Sequence, residues 1–411
     1  MIRWITEQLG TSAWHKELAL ENARTVDVRL LRDGRGNSLD LIRQKIEEAL
    51  AFLRDGKRVV ICCDHGVSRS NAIAAAVIAT QSGGKLNQAL LQVIQVIGET
   101  GIKIDFVADV RAAINESKTS GDGTTTYILG RNSLVGQTAV RLLDTSRAID
   151  GMTDELALVN NPVLLEALLD DCSAGRILFC WRPDPIDTNE GIGKLIKALR
   201  NVLEVCRLRN TELIFISGYQ VFSGLPSERL RLCAEELPPM PDGAVGDGLF
   251  LAEQLVNQYV LRCQLSALVV RPSLIYGMGD DRPGIVNTFI RKALANDEIV
   301  THRFKNGLPL VDLLHVTDFV NAIALAIEKK LVGKLHVASG QLLSTNELAR
   351  QIVKSAASDS RVSIVEMPGN RNSAHLDASR AGIALDWRPT VKLSDGLSEL
   401  LAHFTLEPLY K

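Results

Sequence analysis

Helical and strand-like hydrophobic patterns alternate over residues 1–115. Apolar side chains recur at helical spacing over residues 39–53, and a continuous apolar run at residues 58–62 predicts a buried strand. Helical patterns follow at residues 71–80 and 88–98. This region therefore predicts a compact α/β domain.

A second series of patterns begins after a break in composition. The predicted strands of this series are residues 127–130, 177–180, 213–217 and 265–270, with helical segments between them. Strands and helices that alternate at this spacing predict a doubly wound parallel sheet of the Rossmann type.

The break between the two series reads ESKTSGDGTTT over residues 116–126. Small polar residues and glycines without apolar periodicity are typical of a linker. We therefore predict a first domain over residues 1–117, a linker over 118–126 and a second domain over 127–411.

Composition excludes several classes of partner. The formal net charge of the 411 residues is −2 and no block of basic residues occurs, which disfavours nucleic acid and anionic membranes as partners. No run approaches the ~20 apolar residues of a membrane span. The seven cysteines have no framework spacing, and no metal-ligand spacing is present. We expect a cytoplasmic protein without a bound metal.

The first candidate site joins the predicted strand at residues 58–62 to the helix at 71–80, where residues 60–70 read VICCDHGVSRS. Backbone N–H groups at such a helix N-terminus favour an anion, and their field lowers the pKa of a thiol at Cys63. The planar guanidinium of Arg69 can bind two phosphate oxygens, and Ser70 can donate a hydrogen bond to the sulfur. The predicted phosphate-binding residues between them are Asp64, His65, Gly66, Val67 and Ser68.

On these residues the region resembles the dual-specificity branch of the protein tyrosine phosphatase superfamily. The resemblance implies a cysteine phosphatase fold, a central sheet flanked by helices, with Cys63 as nucleophile and Arg69 as phosphate ligand. It also implies a general acid on an upstream loop. Asp33 stands at the matching place, with Asp40 and Asp27 as alternatives.

One residue departs from the family pattern. The family has a histidine before the nucleophile, whereas this chain has Cys62. We interpret Cys62 as a small buried residue, with redox protection of Cys63 as the alternative.

The second candidate site opens the second domain. Glycines at a strand-to-helix turn let a dinucleotide pyrophosphate approach the helix N-terminus. The predicted cofactor-binding residues are Gly130, Arg131, Asn132, Ser133, Leu134, Val135 and Gly136.

Three later segments, at residues 215–224, 270–277 and 314–319, follow in order. With the glycine turn they resemble the extended short-chain dehydrogenase/reductase family, in particular nucleotide-sugar epimerases, dehydratases and dTDP-4-dehydrorhamnose reductases. The resemblance covers about residues 125–405 and implies NAD or NADP as the cofactor of this domain; none is implied for the phosphatase. Such folds commonly pair, so a homodimer is a candidate assembly.

The catalytic residues of that family are replaced. Its Tyr-x3-Lys pair aligns with Val245 and Leu249, and its serine or threonine aligns with Gly218. Tyr219 is near the lost hydroxyl, but no lysine lies four residues after it. The sequence therefore predicts a second domain that binds a nucleotide or a nucleotide sugar, or has a structural or dimerising role, and whose oxidoreductase activity is doubtful.

Together these observations predict a phosphatase that hydrolyses a phosphate monoester through a phosphocysteine, with a small-molecule phosphate ester or a phosphoprotein as substrate. Sugar or cell-surface polysaccharide metabolism is the expected context. The alternatives are a bifunctional phosphatase and NAD(P)-dependent sugar epimerase or reductase, and a phosphatase regulated by the nicotinamide pool.

Overall fold

The computed structural model describes most of the chain. The described residues are 1–15, 23–98, 101–115, 125–143, 146–147, 161–171, 175–225, 231–279 and 284–406. No helix among them is long and apolar enough to cross a membrane.

The chain divides into two compact units. The first comprises residues 1–125 together with residues 149–175 and 197–211, and the second comprises residues 126–148, 176–196 and 212–411. One boundary between the units falls between residues 125 and 126, and the predicted domain bounds stay a prediction. Two later segments also group with the first unit, so a single cut at the linker does not separate the units.

The first unit contains a four-stranded sheet in the order β1-β2-β4-β3. β1 is antiparallel to β2, and the other neighbours are parallel. The strands are β1 (Arg3–Trp4), β2 (Leu9–Ala13), β3 (Ala23–Asp27) and β4 (Arg58–Cys63). The helices before the linker are α1 (Leu39–Arg54), α2 (Arg69–Ser82), α3 (Leu86–Ile97) and α4 (Ile104–Ala113).

Helix α2 lies in the centre of this unit. Its small alanine-rich side chains are buried almost all round, which lets neighbouring elements approach closely. It starts directly after the loop that follows β4. The loop is therefore held between a buried strand and a buried helix.

The second unit is built on a six-stranded sheet in the order β14-β10-β8-β7-β5-β6. All neighbouring pairs are parallel. Its strands are β5 (Thr126–Leu129), β6 (Ser146–Arg147), β7 (Arg176–Phe179), β8 (Glu212–Ile216), β10 (Ala267–Pro272) and β14 (Gly333–Val337). The predicted parallel sheet of Rossmann type is confirmed.

Short strands supplement this sheet in three small groups, β9–β17, β11–β13–β15 and β12–β16. They are β9 (Arg231–Cys233), β11 (Leu274–Tyr276), β12 (Ile299–Arg303), β13 (Leu310–His315), β15 (Leu342–Ser344), β16 (Val362–Glu366) and β17 (Ala374–Leu376). The remaining helices are α5 (Leu134–Leu142), α6 (Pro162–Asp171), α7 (Asn189–Arg209), α8 (Ala244–Cys263), α9 (Ile285–Leu294), α10 (Val316–Glu328), α11 (Thr345–Ser355), α12 (Ser379–Leu385) and α13 (Leu393–Leu406). A 3₁₀ turn, Tyr219–Phe222, follows β8.

Candidate functional site

The loop between β4 and α2 holds the Cys63 thiol in a set of donors. The sulfur accepts a hydrogen bond from the backbone N–H of Gly66 at 3.2 Å and lies 3.3 Å from the hydroxyl of Ser70. Burial alone would raise the pKa of Cys63. Hydrogen bonds from Ser70 and from the backbone N–H groups of Gly66 and His65 outweigh burial, so the pKa lies below its ordinary value.

Glycine is required at the centre of this loop. Gly66 has a φ of +66°, and a Cβ there would lie 2.6 Å from the carbonyl carbon of Ser12. The side-chain amide of Asn71 donates to the carbonyl of Val67 at 2.6 Å, and the Ser68 hydroxyl accepts from Lys103 N.

Arg69 is buried and makes three contacts with the protein. Its guanidinium donates to the carbonyls of Arg29 (3.1 Å) and Leu31 (2.8 Å), and it forms an ion pair with Asp64. The hydrogen bond from Arg69 lowers the pKa of Asp64. The carboxylate of Asp64 therefore competes with any anion for the same guanidinium.

The loop that carries Asp33 reaches this site through its backbone. Arg29 and Leu31 belong to it, and Asn37 braces it by bonding to Arg32 N and to the carbonyl of Gly34, both at 2.7 Å. Asp33 itself is exposed. In the part of the chain that the structure describes, no hydrogen bond or ion pair joins Asp33 to the Cys63 loop, so its role stays a prediction.

The alternatives to Asp33 and the neighbouring thiol have other contacts. Asp27 pairs with Arg29 at 2.7 Å, and Asp40 pairs with Arg43 at 2.8 Å. Burial, assisted by the nearby Asp27, raises the pKa of Cys62 to about 12, which keeps this buried thiol protonated.

In the second unit, the turn between β5 and α5 is closely packed. Gly130 has a φ of +102°, and a Cβ there would lie 2.6 Å from the Cα of Trp181. A Cβ on Gly136 would lie 2.7 Å from the Cα of Arg131. Ser133 caps the helix, accepting from Gly136 N at 3.0 Å and donating to the carbonyl of Gly130 at 2.6 Å. Both glycines are needed for this tight turn.

A cleft of about 270 Å³ begins at this turn. Ser133 lines it at one side. Gly218, Val245 and Leu249, which were assigned to the positions of the missing catalytic residues, line it as well. The structure therefore brings the predicted cofactor turn and these three positions together.

A larger cavity of about 840 Å³ adjoins the cleft. Residues of the 3₁₀ turn, α8 and β11 line both spaces. The shared lining residues are Tyr219, Gln220, Val245, Ser273 and Leu274. These shared lining residues are called the shared wall below. A group bound in the cleft would lie next to a group bound in the cavity at this place.

A buried ionic network joins Arg271, Glu253 and Ser217. Arg271 and Glu253 form two hydrogen bonds, at 2.9 and 2.5 Å, and Ser217 donates to the same carboxylate at 2.5 Å. Arg271 also bonds the Nε2 of His336 at 3.2 Å. Burial and the charge of Arg271 lower the pKa of His336 to about 3.

Two further histidines of the second unit have defined places in the structure. His315 caps α10 by accepting from Thr317 N at 3.3 Å, and it lies 3.3 Å from Glu399. His302 lines the large cavity. No cluster of potential metal ligands occurs among the residues placed by the structure.

The family model described as the RmlD substrate binding domain matches residues 124–381, more than half of the chain. The chain belongs to this family. No family model matches residues 1–120.

The matches between this RmlD-type chain and its curated relatives cover only part of the length of each relative. Human short-chain dehydrogenase/reductase family 42E member 1 is 31% identical over 36% of this chain and 38% of its own. The dTDP-4-dehydro-6-deoxy-D-allose reductase of Streptomyces bikiniensis is 28% identical over 34% of this chain and 43% of its own. A UDP-glucose 4-epimerase of Mycolicibacterium smegmatis is 27% identical over 42% of this chain and 56% of its own. The matches thus span about half or less of each relative.

Solved structures extend the similarity of fold over the whole RmlD-type region. The UDP-glucose 4-epimerase of Thermotoga maritima has a TM-score of 0.60 at 19% identity, covering 69% of this chain and 99% of its own. The dTDP-glucose 4,6-dehydratase of Bacillus anthracis has a TM-score of 0.59 at 18% identity, with 69% and 96% covered. At such identities the similarity establishes the fold.

These matches correct the predicted enzyme class. The prediction of a cysteine-dependent phosphatase whose second domain has doubtful oxidoreductase activity is wrong. The matched family and the relatives point instead to an oxidoreductase of the epimerase, dehydratase and reductase type. A cysteine phosphatase fold is likewise not shown for the first unit. The doubt about oxidoreductase activity came from the loss of the Tyr-x3-Lys pair, at Val245 and Leu249, and of the serine or threonine, at Gly218. The sequence alone does not show that Tyr219 lines the same cleft as Val245.

Proposed function

We propose that the chain is an NAD(P)-dependent oxidoreductase of the epimerase, dehydratase or reductase type, acting on a hydroxyl or carbonyl group of a nucleotide sugar. The observation that carries this proposal is the wall shared by the 270 Å³ cleft at the glycine turn and the 840 Å³ cavity. Hydride transfer requires a cofactor and a substrate in contact, and two adjoining spaces provide this arrangement.

The residues of the cleft fit a dinucleotide. The turn from Gly130 to Gly136 leads into the N-terminus of α5, where backbone N–H groups suit a pyrophosphate. Apolar side chains of Val245 and Leu249 offer a dry surface for a nicotinamide ring. When bound, the nicotinamide would supply or accept the hydride.

The size of the larger cavity supports a substrate of nucleotide-sugar dimensions. Its volume of about 840 Å³ lies within the range of ligand pockets. Polar groups for hydroxyls are present, including Gln220, Ser223 and Asn372. The relatives named above include a UDP-glucose 4-epimerase and a sugar-nucleotide reductase.

Binding and turnover test this proposal separately. Titration with NAD⁺, NADP⁺ and NADPH by calorimetry should show saturable binding, and Gly136→Val should abolish it. The paired control is Gly382→Ala, on α12, which has room for a Cβ and does not line the cleft. Absorbance of the reduced nicotinamide ring should then change when UDP- or dTDP-linked sugars are added. Absence of binding for every nicotinamide cofactor would refute the proposal.

We propose a second role for the first unit, the binding of a small oxyanion at the Cys63–Ser70 loop. Support comes from the donors around the Cys63 sulfur and from the buried guanidinium of Arg69. The predicted homodimer and the predicted cytoplasmic location stay predictions.

Thermal unfolding with inorganic phosphate or sulfate tests the second role. The wild type should be stabilised by either anion, and Arg69→Leu should lose the effect. Arg54→Leu, an exposed arginine at the end of α1, is the matched control. Equal stabilisation of the wild type and Arg69→Leu would contradict binding at this loop.

A further inference from the structure

The 3₁₀ turn after β8 carries two polar side chains into the shared wall. We infer that Tyr219 and Gln220 replace the missing catalytic side chains of α8 and of position 218, with Tyr219 as the proton donor and Gln220 as the hydrogen-bond anchor for the reacting oxygen. This inference rests on the proposed oxidoreductase function. It assigns the chemistry to residues outside the family's Tyr-x3-Lys and serine or threonine positions.

Gln220 occupies the space of the missing hydroxyl side chain. A Cβ built on Gly218 would collide with the Oε1 atom of Gln220 and lie 3.3 Å from the Cδ1 of Leu249. Glycine at position 218 is therefore not a simple loss. It makes room for an amide that reaches the same place from two residues further along the chain.

Tyr219 lies where the two spaces adjoin. It lines both the cleft and the cavity. In the described part of the chain, no protein group forms a hydrogen bond with this hydroxyl. Burial raises the pKa of the phenol, which keeps it protonated and able to donate.

Arg371 supplies the positive charge that a lysine supplies in the family pattern. Its charge acts on Tyr219 and offsets part of the rise in pKa. The titratable and charged groups around the cavity are Asp187, Asp242, Asp312, His302 and Arg371. Asp312 is buried and bound by the donors of Ser273, Ser339 and Gly340, so its charge is compensated locally.

The turn is held firmly enough to position these groups. Ser223 donates to the carbonyl of Gln220 at 2.7 Å, and the carbonyl of Val221 accepts from Met240 N at 2.9 Å. On the other side, Ser217 is fixed by its 2.5 Å bond to Glu253. These hydrogen bonds fix both ends of the turn before any ligand binds, as preorganisation requires.

The proton balance follows from these positions. In the reducing direction, Tyr219 would give its phenol proton to the carbonyl oxygen of the substrate, while a reduced nicotinamide, when bound, would supply the hydride to the carbonyl carbon. The charge of Arg371 would stabilise the resulting phenolate, which would regain its proton from water. In the oxidising direction each transfer is reversed.

Tyr219→Phe is the first test. We expect kcat to fall about 100-fold or more, the loss typical of a general acid, with cofactor binding unchanged. Tyr259→Phe, on α8 and outside both lining sets, should retain full activity. If the wild type binds cofactor and turns over sugar nucleotides but Tyr219→Phe is equally active, this inference is wrong while the proposed function stands.

A rescue experiment tests Gln220. Gln220→Ala should reduce kcat by more than about tenfold, and it opens the space beside residue 218. Adding Gly218→Ser to that variant should restore much of the loss by returning a hydroxyl to the same place. A merely structural role for Gln220 predicts no such recovery, so failure of the double variant to regain activity would overturn the anchor role.

Tyrosine ionisation gives a readout without cofactor. The difference between the alkaline absorbance titrations of the wild type and Tyr219→Phe isolates one phenol, which should ionise above the ordinary tyrosine range. Arg371→Gln should move this ionisation to still higher pH. An unchanged titration in Arg371→Gln would refute the effect of Arg371 on Tyr219, whatever the result of the cofactor experiments. If no nicotinamide cofactor binds at all, the proposed function fails and this inference fails with it.

Discussion

The guanidinium of Arg271 and the carboxylate of Glu253 form a two-point ion pair in the interior of the second unit. Their exposed side-chain fractions are 0% and 2%. The pair links β10 to α8, and Ser217 at the end of β8 joins the same carboxylate. Three elements that border the cleft are therefore tied together by one buried charge pair.

Breaking this pair should destabilise the second unit strongly. Glu253→Gln removes the charge but keeps the size, and it leaves the Arg271 guanidinium buried without its counter-ion. A loss of about 3–5 kcal/mol in the free energy of unfolding is expected. Urea unfolding followed by circular dichroism measures it.

The control for this prediction is an exposed acid in a helix. Glu190 pairs with Lys194 at the start of α7, where its side chain is 77% exposed. Glu190→Gln should leave the unfolding midpoint unchanged because water screens such a pair. Similar losses in the two variants would show that burial of the pair is not the cause.

His336 makes the stability of the same region depend on pH. Its pKa is about 3 in the folded chain, against 6.5 for an ordinary histidine. As pH falls below about 6.5 the unfolded chain takes up a proton that the folded chain does not. Stability should therefore decline by up to about 1.4 kcal/mol per pH unit until the folded pKa is approached.

A variant that cannot titrate isolates this contribution. His336→Gln keeps an acceptor for Arg271 but takes up no proton, so its stability should fall less steeply between about pH 6.5 and pH 4. Thermal unfolding across this range compares the two slopes. Parallel slopes would mean that other groups account for the acid sensitivity.

Much of the second unit could be predicted from the sequence because its strands, helices and glycine turn depend on short stretches of the chain. The glycine turn and the positions of Gly218, Val245 and Leu249 follow from spacing along the chain, and the structure places them around one cleft. The space that Gln220 fills could not be predicted, since a glycine in the sequence gives no indication of the side chain packed over it.

Contacts between residues that are distant along the chain could not be predicted from the sequence either. The Arg271–Glu253 pair depends on packing between a strand and a helix, and no local pattern requires it. Likewise, composition predicts a linker at residues 118–126, which stays a prediction, but it gives no indication that residues 149–175 and 197–211 group with the first unit. Such grouping depends on tertiary contacts alone.

Gly66 should be irreplaceable in the Cys63 loop. Gly66→Ala combines a positive φ with a Cβ too close to the backbone of Ser12, so a loss above about 2 kcal/mol is expected. Gly34→Ala, with open space and no positive φ, should change stability by less than about 0.5 kcal/mol. Chemical unfolding of both variants checks the contrast, and a tolerated Gly66→Ala would show that the loop is not closely packed.

Asp64 should limit the affinity of the Cys63 loop for oxyanions. Its carboxylate pairs with Arg69 and brings a negative charge to the place where an anion would bind. Asp64→Asn keeps the shape and removes the charge, so inorganic phosphate should bind at least about tenfold more tightly, a gain of about 1.4 kcal/mol. Calorimetric titration of both proteins measures the change. Asp40→Asn, whose charge pairs with Arg43 on α1, serves as the control and should bind like the wild type. Weaker binding by Asp64→Asn would instead mean that Asp64 holds Arg69 in the orientation that an anion needs.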